Sequence, residues 1–68
     1  MNASQFKKAA KLKNVLVYSV RKYSNKNGQG YTVIFAHKLS ENTVSTESTK
    51  HFHEMDLQEI LDNQFSQN

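Results

Sequence analysis

The chain has no cysteine, no proline and no tryptophan, and its only glycines are Gly28 and Gly30. Without cysteine it can form neither disulfides nor thiolate metal sites, the staples on which many small secreted domains depend. The same absence fits a reducing compartment, and the expected location is the cytoplasm. Without proline nothing forces a break inside a helix or strand. No apolar run approaches the roughly 20 residues of a membrane span. The lysines of residues 1–13 precede no apolar h-region, so no secretory signal is expected. The most informative absence is of negative charge: no Asp or Glu occurs before Glu41.

What is present divides accordingly. Lys7, Lys8, Lys11, Lys13, Arg21, Lys22, Lys26 and Lys38 fill the first half, while Glu41, Glu47, Glu54, Asp56, Glu59 and Asp62 oppose a lone Lys50 in the second. The net charge of +3 therefore conceals +8 on residues 1–38 and −5 on the remainder. Such asymmetry suits a partner with a strong field, nucleic acid above all. The length of 68 residues gives a single domain. A chain this short buries only about 60% of its unfolded surface. With 37% hydrophobic residues it is expected to fold rather than to be disordered.

Residues 1–13 read as a short basic helix or arm. Ala, Lys, Gln and Leu favour helix, Asn2 or Ser4 would cap it, and Phe6, Ala9 and Ala10 form a thin apolar stripe. Residues 14–53 read as a three-stranded antiparallel sheet. The stretches 15–23 and 31–39 are β-branched and aromatic, and Asn27-Gly28 between them signals a type I′ hairpin turn. That turn would pair Val20 with Phe35, Tyr18 with His37 and Leu16 with Leu39. One face would then carry Leu16, Tyr18, Val20, Tyr31, Val33, Phe35 and Leu39 as the core. The other would carry Val15, Val17, Ser19, Arg21, Tyr23, Thr32, Ile34, Ala36 and Lys38. A third strand within 43–53 would set Val44 opposite Leu39 and Phe52 opposite Tyr31. Residues 56–65 read as a C-terminal helix with an Asp56/Glu59 capping box and a Met55/Ile60 staple. Its stripe of Leu57, Ile60, Leu61 and Phe65 would cover one sheet face. The tail 66–68 is expected to fray. The expected fold is α+β, in the order α-β-β-β-α.

Chemistry points to binding. Lys7, Lys8, Lys11 and Lys13 on the arm, Arg21 and Lys38 on the open face, and Lys26 at the hairpin tip would contact phosphates. Tyr23 would stack on a base or sugar, and Tyr18 and Tyr31 would join it if exposed. His51 and His53 alternate onto one face, but His37 falls on the other, and no third ligand is demanded, so no metal or other cofactor is expected. Gly28-Gln29-Gly30 precedes a strand rather than a helix, which makes it a turn and not a phosphate loop. No nucleophile motif surrounds any Ser or His, and no enzyme activity is expected.

The helix–three strands–helix order resembles the double-stranded-RNA-binding domain, although the second helix here opens with Glu54, Asp56 and Glu59 instead of a lysine cluster. Residues 15–65 are similar in outline to the arm-binding domains of phage-type integrases, which implies DNA contact by a sheet face bearing Arg21 and Lys38. The outline is also similar to that of phage-encoded inhibitors, anti-CRISPR proteins among them. That likeness implies the alternative function: a regulator or inhibitor that binds a host protein. Its acidic helix would face a basic partner surface. A homodimer, paired through the opposite charges of its two halves, is compatible with either function.

Overall fold

The computed structural model describes residues 1–65, and the 66–68 tail lies outside the described residues. Helix α1 spans Ala3–Leu12 and is capped by Asn2. The Asn2 side chain accepts from the Gln5 N–H at 2.9 Å, and the Gln5 side chain accepts from the Asn2 N–H at 3.0 Å. This reciprocal box satisfies two of the four donors that a helix start leaves open. Phe6 and Ala10 are fully buried and Ala9 is half-buried, as the apolar stripe predicts. The segment is therefore an ordered helix and not an arm. The chain leaves it through Asn14 at φ 62°, a left-handed position that asparagine tolerates better than most residues.

Strand β1 spans Val15–Asn25 and β2 spans Gly28–Ser40. Their hairpin turn has Lys26 and Asn27 at its centre, because Asn25 pairs with Gly28. This corrects the expected Asn27-Gly28 turn. The Asn25 side chain accepts from the Asn27 N–H at 2.8 Å, and Gly28, at φ 130°, is the one turn residue with positive φ. Asparagine at the first position and glycine at the fourth are type I preferences, whereas a type I′ turn needs two central residues at positive φ.

The corrected turn moves the register by two residues, so Val20 faces Val33 rather than Phe35. An even slip leaves the faces of Ser19–Asn25 as predicted. Beyond Ser19 the faces change. A β-bulge between Val17 and Ser19 leaves Tyr18 unpaired, with Val17 opposite Phe35 and Ser19 opposite Ile34. One extra residue reverses the alternation. Val15 is consequently buried and Val17 packs against the core, while Leu16 moves to the opposite face and Tyr18 becomes 49% exposed. The expected core places of Leu16 and Tyr18 are thus taken by Val15 and Val17.

The third strand is split into β3, Thr43–Val44, and β4, Ser48–His53, both paired with β2. At the break, Ser45 donates its N–H to the His37 carbonyl at 2.8 Å and accepts the His37 N–H on its hydroxyl at 2.9 Å. A side chain has taken the place of a strand carbonyl in the ladder. Phe52 faces Tyr31 as expected. Val44 faces Lys38 instead of Leu39, because a second irregularity falls at Leu39. Leu39 and Val44 are exposed, which removes both from the predicted core.

Asp56 caps the last helical element, accepting from the Glu59 N–H at 2.8 Å. Helix α2 opens as an α-helix over Leu57–Glu59 and continues as a π-helix over Ile60–Gln64, where the Phe65 N–H donates to the Ile60 carbonyl at 3.1 Å. In an α-helix Phe65 would stand about 140° around from Ile60. The wider turn brings both toward the sheet. Phe65 then becomes the centre of the core, with ring centroids 4.9 Å from Phe35, 5.9 Å from Phe6 and 6.2 Å from Phe52. Phe6 from α1 and Ile60, Leu61 and Phe65 from the C-terminal element bury together on one face of the sheet. Among the described residues, the other face carries no helix.

Candidate nucleic-acid interface

Alternation assigns the uncovered face. From β1 it takes Leu16, Ser19, Arg21 and Tyr23; from β2, Gly30, Thr32, Ile34, Ala36 and Lys38; from β4, Thr49, His51 and His53. No strand residue on either face is acidic. The six carboxylates all lie in turns, in loops or in α2. A positive side chain on this face therefore has no carboxylate across from it in the sheet. Of the apolar residues expected on this face, Val15 and Val17 turn inward and Ala36 is buried.

The hairpin half of the face is a polar cluster. The Tyr23 ring lies over Gly30: a Cβ there would meet Tyr23 Oη at 2.6 Å and the Phe52 carbonyl oxygen. This close approach explains glycine at position 30. Tyr23 Oη lies 3.1 Å from His53 Nδ1, and the two rings are nearly parallel with centroids 6.2 Å apart. His51 meets the edge of Tyr23 and places Nδ1 2.8 Å from Thr32 Oγ1. His53 Nε2 stands 3.7 Å from Glu54 Oε1. Glu54 sits at φ 57°, held where its N–H donates to the Gln29 carbonyl at 2.7 Å. A Cβ on Gly28 would collide with the Glu54 carboxylate and the His53 ring, so this glycine meets both a conformational and a steric demand. Among the described residues, no three metal-ligating side chains converge.

The other half is basic around an apolar centre. Lys7 and Lys11 line a shallow depression of about 240 Å³ with Val15, Leu16, Val17 and Tyr18. Lys11 also shares a depression of about 420 Å³ with Lys38, Leu16 and Val44, where Glu41 adds a carboxylate. Lys11 and Leu16 line both depressions, with Lys7 in the first and Lys38 in the second. Arg21 lies mid-strand on the same face. Lys26 is exposed at the hairpin tip, Lys8 is exposed on α1, and Lys13 is the half-buried C-cap of α1. From Lys38 to the hairpin is ten residues along β2, roughly 33 Å, or about ten base pairs of axial rise.

Thr32 lies on this face as expected, and His51 and His53, expected to share one face, share this one, although charge patterning selects none of the three. Period-two alternation from the Phe52–Tyr31 pair is the signal that places them together. Tyr18 had no such signal, since alternation alone places it with Val20. No helix among the described residues is long and apolar enough to cross a membrane.

Comparison with family models, curated proteins and solved structures returned no match.

Proposed function

We propose that the chain is a small, non-catalytic nucleic-acid-binding module acting in the cytoplasm. The observation that carries this reading is the placement of both helices on one side of the sheet. The uncovered face holds Arg21 and Lys38 with no acidic strand residue, and Lys7 and Lys11 flank it at β1. A polyanion laid along this surface would meet Arg21 mid-strand and Lys7, Lys11 and Lys38 at the end away from the hairpin. Phosphate contacts supply sequence-independent affinity and a steep salt dependence. Tyr23, Thr32, His51 and His53 add polar and aromatic groups at the hairpin end.

The test is fluorescence-anisotropy titration of labelled single-stranded DNA, duplex DNA and duplex RNA at low and near-physiological salt. Saturable binding is expected, and its logarithm should fall linearly with the logarithm of salt. The triple variant Lys7→Glu, Lys8→Glu, Lys11→Glu should flatten that slope by about 0.7–0.9 for each phosphate that is no longer neutralised. Absence of binding to every form at low salt would reject the reading. A second reading, a regulator that binds another protein, draws on the exposed Leu12, Leu39 and Val44. It becomes the leading one on that outcome.

A further inference from the structure

The bulge in β1 displaces Leu16 and Tyr18, which regular alternation would have sent into the core, and of the two Tyr18 is the ring. Tyr18 has the parity of Val20, which packs against the core, yet Tyr18 is 49% exposed. A small domain has few large rings to bury, and this one is turned outward. Bulges commonly re-aim a side chain beside a functional site.

The three tyrosines have different fates. Tyr31 is half-buried and packs against the core. Tyr23 lies on Gly30, and its hydroxyl engages His53. Among the described residues the Tyr18 ring makes no ring contact and its hydroxyl no hydrogen bond. Its neighbours in the β1 depression are the apolar Val15, Leu16 and Val17 on one side and Lys7 and Lys11 on the other. The two lysines are one helical turn apart, so both ammonium groups reach the same margin. No carboxylate lines the depression.

We propose that Tyr18 is a stacking platform for one unpaired base, with Lys7 and Lys11 holding the phosphates of that nucleotide and its neighbour. The inference rests on the nucleic-acid reading and narrows it to single-stranded ligands. In a duplex each base is stacked on both faces and cannot meet the ring. In a single strand every base offers a π-face, so an aromatic platform serves any sequence. The lysines fix the backbone while the ring takes the base.

The experiment uses three labelled probes: a 15-mer of thymidine, a 15-mer of the same phosphates with abasic sugars, and a 15-base-pair duplex. The full chain should prefer the thymidine strand to the abasic one. Tyr18→Ala should lose roughly 5- to 150-fold on the thymidine strand, the range of one stacked base, and nothing on the abasic strand. Tyr18→Phe should retain binding. Lys7→Glu with Lys11→Glu should weaken both strands. On adding the thymidine strand, the Tyr18 ring resonances should move upfield in NMR spectra, a readout that needs no variant to fold. Equal affinity of Tyr18→Ala and the parent chain for thymidine would overturn the platform and leave the nucleic-acid reading standing. Equal loss on the abasic strand, or an unmoved Tyr18 ring in the bound state, would also overturn it. Failure of every probe to bind would reject the two together.

Discussion

Replacing Phe6 with Ala tests whether α1 is part of the domain. Phe6 has no exposed surface, and its ring lies 5.9 Å from that of Phe65, the hub of the core. Removing a buried phenyl group costs about 3–5 kcal/mol from lost transfer energy and residual cavity. The total stability of a domain of 68 residues is on the order of 3–10 kcal/mol. The substitution therefore consumes about 30% of the stability at least, and at the lower end of that stability it unfolds the chain. Each kcal/mol corresponds to about 4–8 °C in the melting midpoint at this size, so a fall of at least about 12 °C is expected. Thermal and urea unfolding followed by circular dichroism measure it, with the parent chain and Leu12→Ala as controls. Leu12 is on the same helix but 88% exposed, and its replacement should move stability by less than about 0.5 kcal/mol. A Phe6→Ala midpoint as close to the parent as that of Leu12→Ala would refute the packing of α1.

Gly30→Ala should destabilise by about 1–3 kcal/mol, as overpacking does, because the new methyl meets the Phe52 carbonyl and the Tyr23 ring; a melting curve like that of the parent would contradict the close approach of Tyr23 to Gly30. Glu59→Lys with Asp62→Lys reverses the charge of α2 on the far side of the sheet and should change nucleic-acid affinity at physiological salt by no more than about threefold, since the Debye length there is ~8 Å. A much larger gain in the same anisotropy titration would mean that the acidic helix faces the ligand.

Most of the architecture was legible because it rests on local chemistry. Asp56 and Glu59 state the capping box directly, and both of its hydrogen bonds form. Phe52 pairs with Tyr31 because only that parity turns both of these rings toward the core. What could not be read depends on single inserted residues. The bulge at Tyr18 reverses one end of β1, and no residue in Val17-Tyr18-Ser19 announces it, since it relies on neither glycine nor proline. Its cause is tertiary: Val15 and Val17 have α1 above them, and burying both requires the reversal. The hairpin was misplaced for a different reason. Asn27-Gly28 is the stronger pair on its own, but Asn25 supplies an acceptor two residues before Asn27, and Gly28 serves at the fourth position equally well. The candidate site inherits both outcomes. Arg21 and Tyr23 keep their expected face because a two-residue slip preserves faces, while Tyr18, expected in the core, is exposed at the bulge.

Segregation of charge along a chain does not by itself make a binding surface. Had α1 crossed the other face of the sheet, the same lysines would be exposed over a hidden Arg21. Had it remained an arm, they would be exposed without fixed positions. Phe6 decides between these cases, because its burial against Phe65 puts α1 on the side already occupied by α2. The lysines then reach the open face only around β1, where the bulge lies. A mobile arm would still be drawn to phosphate, with an affinity set by charge count alone. A docked helix holds Lys7 and Lys11 beside Tyr18, so the electrostatic attraction is local and can be joined to stacking on a base. Under the proposed stacking at Tyr18, non-specific attraction would become discrimination between paired and unpaired strands, and that conversion would depend on one buried phenylalanine.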